Sequence, residues 1–311
     1  MLKAGDEVAV TGATGFIGRY LVDALVGHGL SVVAVVRDLE RAAPLARDGV
    51  RLAKADLSDR AALTEAFTGV AAVVSNAAVV SIGNHRREVL VATNVEGTEN
   101  VMRAAAAAGV ARVVQMSSAV VYRPKRGHHY HEDDPLRDRS DWGTRLSDYA
   151  VSKACAERAA WRLADELGLA LTTLRPHTVF GAFDRHSFTR WLKRFMAPPV
   201  SLFPTRLYLP PIYAGDLAEA VALALRKTEA EGRAYNIAHE PDRHSYWDLM
   251  EAYRRAGGAV PRLVVPVPVP MRRRFSVDRA KEELGLSPRP LEAAFRDMLE
   301  REAQLPSSMS P

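Results

Sequence analysis

The amino-acid sequence predicts an α/β fold, a doubly wound parallel sheet with a smaller, partly discontinuous C-terminal domain. Three observations predict it. Short valine-rich runs alternate with helical patterns from residue 7 to about residue 175. Those runs are apolar almost throughout, as strands are when helices cover both faces of a sheet. A glycine-rich turn, T-G-A-T-G-F-I-G over 11–18, joins the first run to the first helical pattern.

Glu7–Thr11 (E-V-A-V-T) reads as a buried strand. Residues 16–26 place Phe16, Ile17, Tyr20, Leu21, Ala24 and Leu25 at helical spacing, and Gly27 and Gly29 end the helix. Ser31–Val36 is the second strand, 50–53 the third, 59–67 a helix and 71–75 the fourth strand. Residues 86–108 form one long helical region closed by Gly109, and Arg112–Met116 is the fifth strand. Residues 147–167 are helical, ended by Gly168, and 170–174 are the sixth strand. Beyond Arg175, prolines cluster at Pro198-Pro199, Pro204, Pro210-Pro211 and 261–270, which predicts loops and chain crossings. Ala214–Arg226 is a helix, Arg233–Ile237 a late strand, and 245–256 and 290–303 are helical. The expected nucleotide-binding domain is 1–175 with about 206–240, and the expected substrate domain is about 176–205 with 241–311.

At 311 residues the chain is long enough for one large domain or two modest ones. Its 48% hydrophobic and 25% charged content is ordinary for a soluble globular protein. The net charge is +5, yet Arg272-Arg273-Arg274 is the only basic run and no basic block carries interleaved aromatics. That argues against nucleic-acid binding. No apolar run approaches the ~18–20 residues a membrane span needs, and no basic-then-apolar leader opens the chain, so a cytoplasmic location is expected. The single cysteine, Cys155, lies in an alanine-rich helical pattern that predicts a small buried residue.

The glycine turn lies between strand and helix, the context that gives such a motif meaning. Gly12 permits a tight turn, Gly15 lets the backbone approach a pyrophosphate, and Gly18 lets the helix pack on the sheet. The N–H groups opening the helix offer partial positive charge to phosphates. The second strand ends V-V-R-D. An acidic residue there would bond the ribose hydroxyls of NAD, whereas Arg37 can pair with the 2′-phosphate of NADP. NADP is the expected cofactor. NAD stays open, with Asp38 taking the ribose and Arg37 merely exposed.

Further motifs follow in order: Asp56-Leu57, Asn76-Ala77-Ala78, N-V-E-G-T over 94–98, M-S-S-A-V-V-Y over 116–122, Y-A-V-S-K over 149–153, L-R-P over 174–176 and K-E-E-L-G-L-S-P over 281–288. With the glycine turn, whose spacing is GxxGxxG and not GxGxxG, this set resembles the extended class of short-chain dehydrogenases/reductases. That class includes sugar-nucleotide epimerases and hydroxysteroid-dehydrogenase-like enzymes, and the resemblance spans nearly the whole chain. It implies a Rossmann-type fold. It implies that Gly12, Thr14, Gly15, Phe16, Ile17 and Gly18 form the cofactor turn and that Asp56 and Leu57 contact adenine. Asn76, Ala77 and Ala78 would lie under the cofactor, Asn94 would sit beside it and hold a water in a proton relay, and Pro176 and His177 would flank the nicotinamide. Related enzymes often dimerise through the long helices after the fourth and fifth strands. The alanine run at 104–108 and A-C-A-E-R-A-A around Cys155 would allow such close contact, so the sequence is compatible with a homodimer but does not fix the oligomeric state.

Tyr149 and Lys153 are four apart and share one helix face. Reducing a ketone needs a proton donor at the carbonyl oxygen, and oxidising an alcohol needs a base at the same place. A phenol with a pKa of ~10 is a poor base at neutral pH, and a cation one turn away stabilises its phenolate. Tyr149 is the expected acid/base, Lys153 the group that tunes it and binds the nicotinamide ribose, and Ser118 the donor to the substrate oxygen. Sugar-nucleotide 4,6-dehydratases place an Asp-Glu pair after the equivalent of Ser118. Here Ala119 and Val120 follow, which disfavours dehydration.

Nucleotide-sugar epimerases carry R-x-x-N-V-Y-G, whose Asn grips the diphosphate; this chain reads R-P-H-T-V-F-G, with Thr178 at that place. Leu207 and Leu209 stand where a later arginine is expected. Missing anchors argue for a less charged small molecule, although Arg272–Arg274 could supply one. Phe183, Phe188, Trp191, Phe195 and Phe203 could line an apolar pocket or simply pack. The loop holding His128, His129, His131, Glu132, Asp133 and Asp134 lacks ligand spacing, and no metal is expected. Three readings follow: an NADP(H)-dependent oxidoreductase of a ketone or secondary alcohol, a nucleotide-sugar epimerase retaining its cofactor, and a nucleotide-sensing regulatory protein.

Overall fold

The apolar segments pair into one seven-stranded sheet. Its strands are β1 Glu7–Thr11, β2 Ser31–Val36, β3 Val50–Lys54, β4 Ala72–Ser75, β5 Arg112–Met116, β6 Ala170–Pro176 and β7 Arg233–Ile237. Their order is β7-β6-β5-β4-β1-β2-β3, with the strand order reversing between β1 and β4. The pairings from β3 across to β6 are parallel; Val8, for example, stands opposite Val32 on one side and Ala72 on the other. The computed structural model describes residues 1–80, 86–125, 127, 129–143, 145–184, 188–196, 199–204, 207–208, 210–240, 245–267 and 271–304. For 145–146, 195, 200–204, 207–208 and 271–272 it describes the backbone alone.

Successive strand residues face opposite sides, and both sides are closed. Val33, Val73, Val113 and Leu171 meet Leu63, Phe67, Val101, Met102 and Leu163 on one face. Those partners come from α2 (Arg60–Phe67), α3 (Gly97–Ala107) and α4 (Arg145–Leu167), which follow α1 (Phe16–Gly27) in the chain. Val8, Val10, Val32 and Ala34 are equally buried on the other face. There α1 packs against β1 and β2, and His28, which caps α1, reaches Glu219 of α5 (Ala214–Arg226). Burial on both faces is why these strands carry no polar alternation.

The chain divides into two compact units. The first is Met1–Arg123, Glu132–Arg175 and Ala218–Tyr235; the second is Pro124–His131, Pro176–Leu217 and Asn236–Pro311. Residues 206–217, expected with the nucleotide-binding domain, group with the second unit. The reason is local: Pro211–Tyr213 pairs with Thr178–Phe180 and not with the main sheet.

Three expectations need correction. The helical region at 86–108 is real but interrupted, with an α-helix at Arg87–Leu90, a π-helix at Val91–Glu96, then α3. The proline-rich stretches expected as loops contain strands. Val200–Pro204 pairs with Leu263–Val267; outside those stretches, His129–Tyr130 pairs with Arg274–Phe275, and Leu207–Tyr208 with Met271–Arg272. Each pair stands alone as a two-stranded sheet, so both members are edges, where a missing N–H is tolerated. Cys155, expected buried, is only partly so. The alanines of α3 and α4 are used within the chain: Ala104, Ala105 and Ala160 lie in its own core. No helix among the described residues is long and apolar enough to cross a membrane.

Candidate active site

The end of β1 is pinned to the end of β4 by one hydroxyl. Thr11 Oγ1 accepts from the Asn76 and Ala77 backbone N–H groups at 3.0 and 3.1 Å, and donates to the Val74 carbonyl at 3.4 Å. The Asn76 side-chain amide returns a bond to the Thr11 carbonyl at 3.3 Å. Gly12 sits in this crossing with φ +67, where a Cβ would come within 2.9 Å of the Ala77 Cα. Gly18 is as constrained, because a Cβ there would overlap the Gly12 carbonyl oxygen and Ala13 backbone.

Gly15 opens α1 with no side-chain cap, and no acidic residue lies in the first turn. The N–H groups that open a helix have no intrahelical partner and carry the positive end of its dipole. An uncapped N-terminus beside a glycine cradle fits the pyrophosphate of a dinucleotide.

At the end of β2, Asp38 and Arg37 are both exposed, but their roles differ. Asp38 caps a short helix at Leu39–Ala42, its Oδ1 accepting from the Arg41 N–H at 3.0 Å. Asp56 accepts from the Ser58 hydroxyl and backbone N–H at 2.6 and 2.9 Å. Those bonds hold its carboxyl below the ordinary value, and the Arg37 charge acts in the same direction. Arg37 is therefore near enough to Asp56 for its charge to act on that carboxyl. The adjoining Leu57 lies against Gly97, where a Cβ would come within 2.9 Å of it, and its carbonyl accepts from Asn100 Nδ2 at 2.8 Å.

Asn94 lies in the π-helix and is buried, with its amide bound to protein. Its Oδ1 accepts from the Val79 N–H at 2.8 Å, and Nδ2 donates to the Val79 carbonyl at 3.1 Å and to Ser152 Oγ at 3.0 Å. Ser152 in turn donates to the Tyr149 carbonyl at 2.8 Å. Asn94 thus ties the segment after β4 to the first turns of α4, and the π turn accompanies its inward position.

Ser118 lies two residues beyond the end of β5 and caps the short turn Ala119–Val121. Its hydroxyl neighbours the Tyr149 phenol closely enough to act on it as a hydrogen-bonding group. Burial pushes the phenol up to about 12, and the Ser118 hydroxyl pulls the other way. Lys153, one turn along α4, is buried and donates from Nζ to the Met116 carbonyl at 2.7 Å. Burial brings its ammonium down to about 8, opposed by the Glu157 charge. A phenol and a neighbouring hydroxyl, with a lysine one turn away, can deliver a proton to an oxygen placed between them and steady the charge left behind.

Sequence reading passed over Glu157. Its carboxylate receives Arg175, Ser117 and Trp161. The available signal was its spacing, four beyond Lys153 on the face that meets the sheet.

In the second unit, His177 follows the last residue of β6. Its N–H donates to the Ile237 carbonyl at 3.0 Å, its Nδ1 lies 2.8 Å from Thr178 Oγ1, and its ring packs on Phe275 at 4.7 Å. Burial, with the Arg273 charge, pushes the imidazole down to about 3, so it is neutral at neutral pH. Arg273 and Arg274 are half-buried and do not form a solvated patch. Phe188 and Trp191 lie on the helix Phe188–Met196 and both pack against Tyr246, at 5.7 and 5.5 Å. Phe183 turns the preceding loop with φ +71. The rings of His129 and His131 lie 4.5 Å apart. His128, Leu209 and the side chains of Phe195, Phe203, Leu207 and Arg272 lie outside the described residues.

Residues 8–238 match the family model of NAD dependent epimerases/dehydratases. The chain is 30% identical over 270 residues to a dihydroflavonol 4-reductase of Hordeum vulgare, across 78% of this chain and 74% of that one. Among solved structures, yeast methylglyoxal/isovaleraldehyde reductase Gre2, complexed with NADPH, aligns with a TM-score of 0.79 at 22% identity, covering 96% of this chain and all of that one (100%). MoeE5, in complex with UDP-glucuronic acid and NAD, aligns with a TM-score of 0.76 at 26% identity, covering 97% and 100%.

Proposed function

Because this chain belongs to the NAD-dependent epimerase/dehydratase family, we propose that it is an NADP(H)-dependent reductase interconverting a ketone and a secondary alcohol of a small or moderately apolar metabolite. The observation that carries the reading is the placement of Tyr149 beside Ser118, one helical turn from buried Lys153. Thr11, Gly12, Gly15 and Gly18 shape the cradle for the pyrophosphate, and Arg37 pairs with the 2′-phosphate. Bound NADPH supplies a hydride to the carbonyl carbon. Ser118 donates a hydrogen bond to the carbonyl oxygen and fixes it against Tyr149. Tyr149 then passes its phenolic proton to that oxygen as the alcohol forms. Lys153 stabilises the phenolate left behind. The similarity to a dihydroflavonol 4-reductase favours net reduction over epimerisation.

The test incubates the pure protein with NADPH and NADH against a panel of ketones and nucleotide sugars. Net oxidation of NADPH with a ketone is expected. Sugar interconversion without net cofactor change would replace this reading with the epimerase, and tight NADP(H) binding with no turnover across the panel would replace it with a sensor. Tyr149→Phe should lower the rate about 10²–10⁴-fold while leaving NADPH affinity within about twofold. Full activity in that variant would overturn the acid/base assignment.

A further inference from the structure

The histidine-rich segment that runs up to His131 is a motif the reaction above does not absorb. Its sequence alone shows no ligand spacing. The structure supplies one, because His129–Tyr130 is a strand, paired in parallel with Arg274–Phe275 in the second unit. The Ser276 N–H extends the pairing by donating to the Tyr130 carbonyl at 2.8 Å. Tyr130 turns inward: it is 3% exposed and stacks on Phe275 at 5.1 Å. Successive residues of a strand point to opposite sides. His129 and His131 therefore leave on the other side, both exposed, and their rings meet with centres 4.5 Å apart and planes at 51°. A transition cation sits about 2.0–2.1 Å from an imidazole nitrogen, and the ring centre lies about 1.1 Å behind that nitrogen. Two rings held at a right angle about one ion then have their centres about 4.5 Å apart. The observed separation is the one a shared ion requires.

We propose that His129 and His131 form a surface chelate for a divalent transition cation, held through two imidazole nitrogens with water completing its coordination. No group of three or more His, Cys, Asp or Glu side chains suited to a metal lies among the described residues, so the protein supplies two donors and the site is open. Imidazole selects Cu(II), Ni(II) and Zn(II) over Mg(II) and Ca(II), which take oxygen donors. Metal-bound imidazoles are neutral, and the register neighbour of His129 is a cation, Arg274. With no anionic ligand, the binding is of moderate strength. A cation bridging His129 and His131 fixes residues 129–131 in the extended form that pairing with Arg274–Phe275 needs, so binding stabilises the fold. The site is independent of the hydride chemistry proposed for Ser118, Tyr149 and Lys153, which belong to the first unit.

The test uses the full chain without an affinity tag, stripped of metal with a chelator. Calorimetric titration with Cu(II), Ni(II) and Zn(II) should show one equivalent bound, tightest for Cu(II). The EPR spectrum of the Cu(II) form should carry superhyperfine splitting from two nitrogens. His129→Ala and His131→Ala each remove one donor of the chelate and should weaken binding about tenfold or more. H129A/H131A should lose the two-nitrogen spectrum altogether. Both side chains are exposed, so these variants should fold as the native protein does, which circular dichroism checks. Absence of binding by all three cations up to millimolar concentration overturns the proposal and leaves the two rings simply packed together. Single variants that bind as tightly as the native protein overturn it too, because the metal then sits on other histidines.

Discussion

Replacing Arg37 with alanine removes an exposed guanidinium from the end of β2 and leaves the backbone of that turn intact. The neighbouring acids are already engaged. Asp38 caps the helix at Leu39–Ala42, and Asp56 holds Ser58 through bonds of 2.6 and 2.9 Å. Neither is therefore set up to grip a ribose in place of Arg37, and the discrimination should rest on the guanidinium. A hydrogen bond to a charged partner contributes about 1.5–3 kcal/mol, and exposure and salt screening place this one near the lower limit. At about 1.4 kcal/mol per factor of ten, Arg37→Ala should weaken NADPH binding about tenfold and leave NADH binding within about twofold. Fluorescence titration of both cofactors, at low and high salt, reads the ratio of the two dissociation constants. Raising the salt should shrink the NADPH preference of the native protein and have less effect on the variant. If both constants move together, Arg37 acts on the fold and not on the phosphate. If neither moves, the 2′-phosphate has no partner here and the NAD reading replaces this one.

Other outcomes follow from the same geometry. Thr11→Val removes the acceptor shared by the Asn76 and Ala77 N–H groups in a buried crossing, which should cost about 2–3 kcal/mol in urea unfolding. An unchanged midpoint would mean those groups find other partners. Gly18→Ala drives a methyl into the Gly12–Ala13 backbone, so soluble yield or cofactor affinity should collapse, measured by expression and NADPH titration; a variant that binds normally would show that the turn is not so constrained. For reduction, kcat/KM should fall as pH rises through about 8, because Lys153 is a cation below that point and loses its proton above it. A profile flat to pH 10 would separate Lys153 from the reaction.

The main sheet could be read from the sequence because a strand covered on both faces needs an unbroken apolar run. β2 carries that signature almost throughout, and the observed limits of β1, β2, β5 and β7 coincide with the expected ones. The π turn at Val91–Glu96 could not be read, since its six residues are too short a stretch for a changed repeat to stand out from the helical pattern on either side. The paired strands among the prolines were hidden for the opposite reason: proline argues against a strand only when both of its edges are occupied. The candidate site divides in the same way. Tyr149 and Lys153 stand out through their local spacing, and Ser118 through the motif shared with the family. Glu157 does not, because its partners Arg175 and Ser117 are 18 and 40 residues away. In the run A-C-A-E-R, Glu157 and Arg158 look like one solvated pair, yet Arg158 is exposed and Glu157 is enclosed. Helical period separates them. If Tyr149 and Lys153 face the strand ends, a residue four further on faces them too, and a carboxylate there must meet a countercharge from the sheet. The arginine that ends the apolar run of β6 is that countercharge. The buried ion pair was therefore implied by the same reasoning that located Lys153, one helical turn beyond where that reasoning stopped.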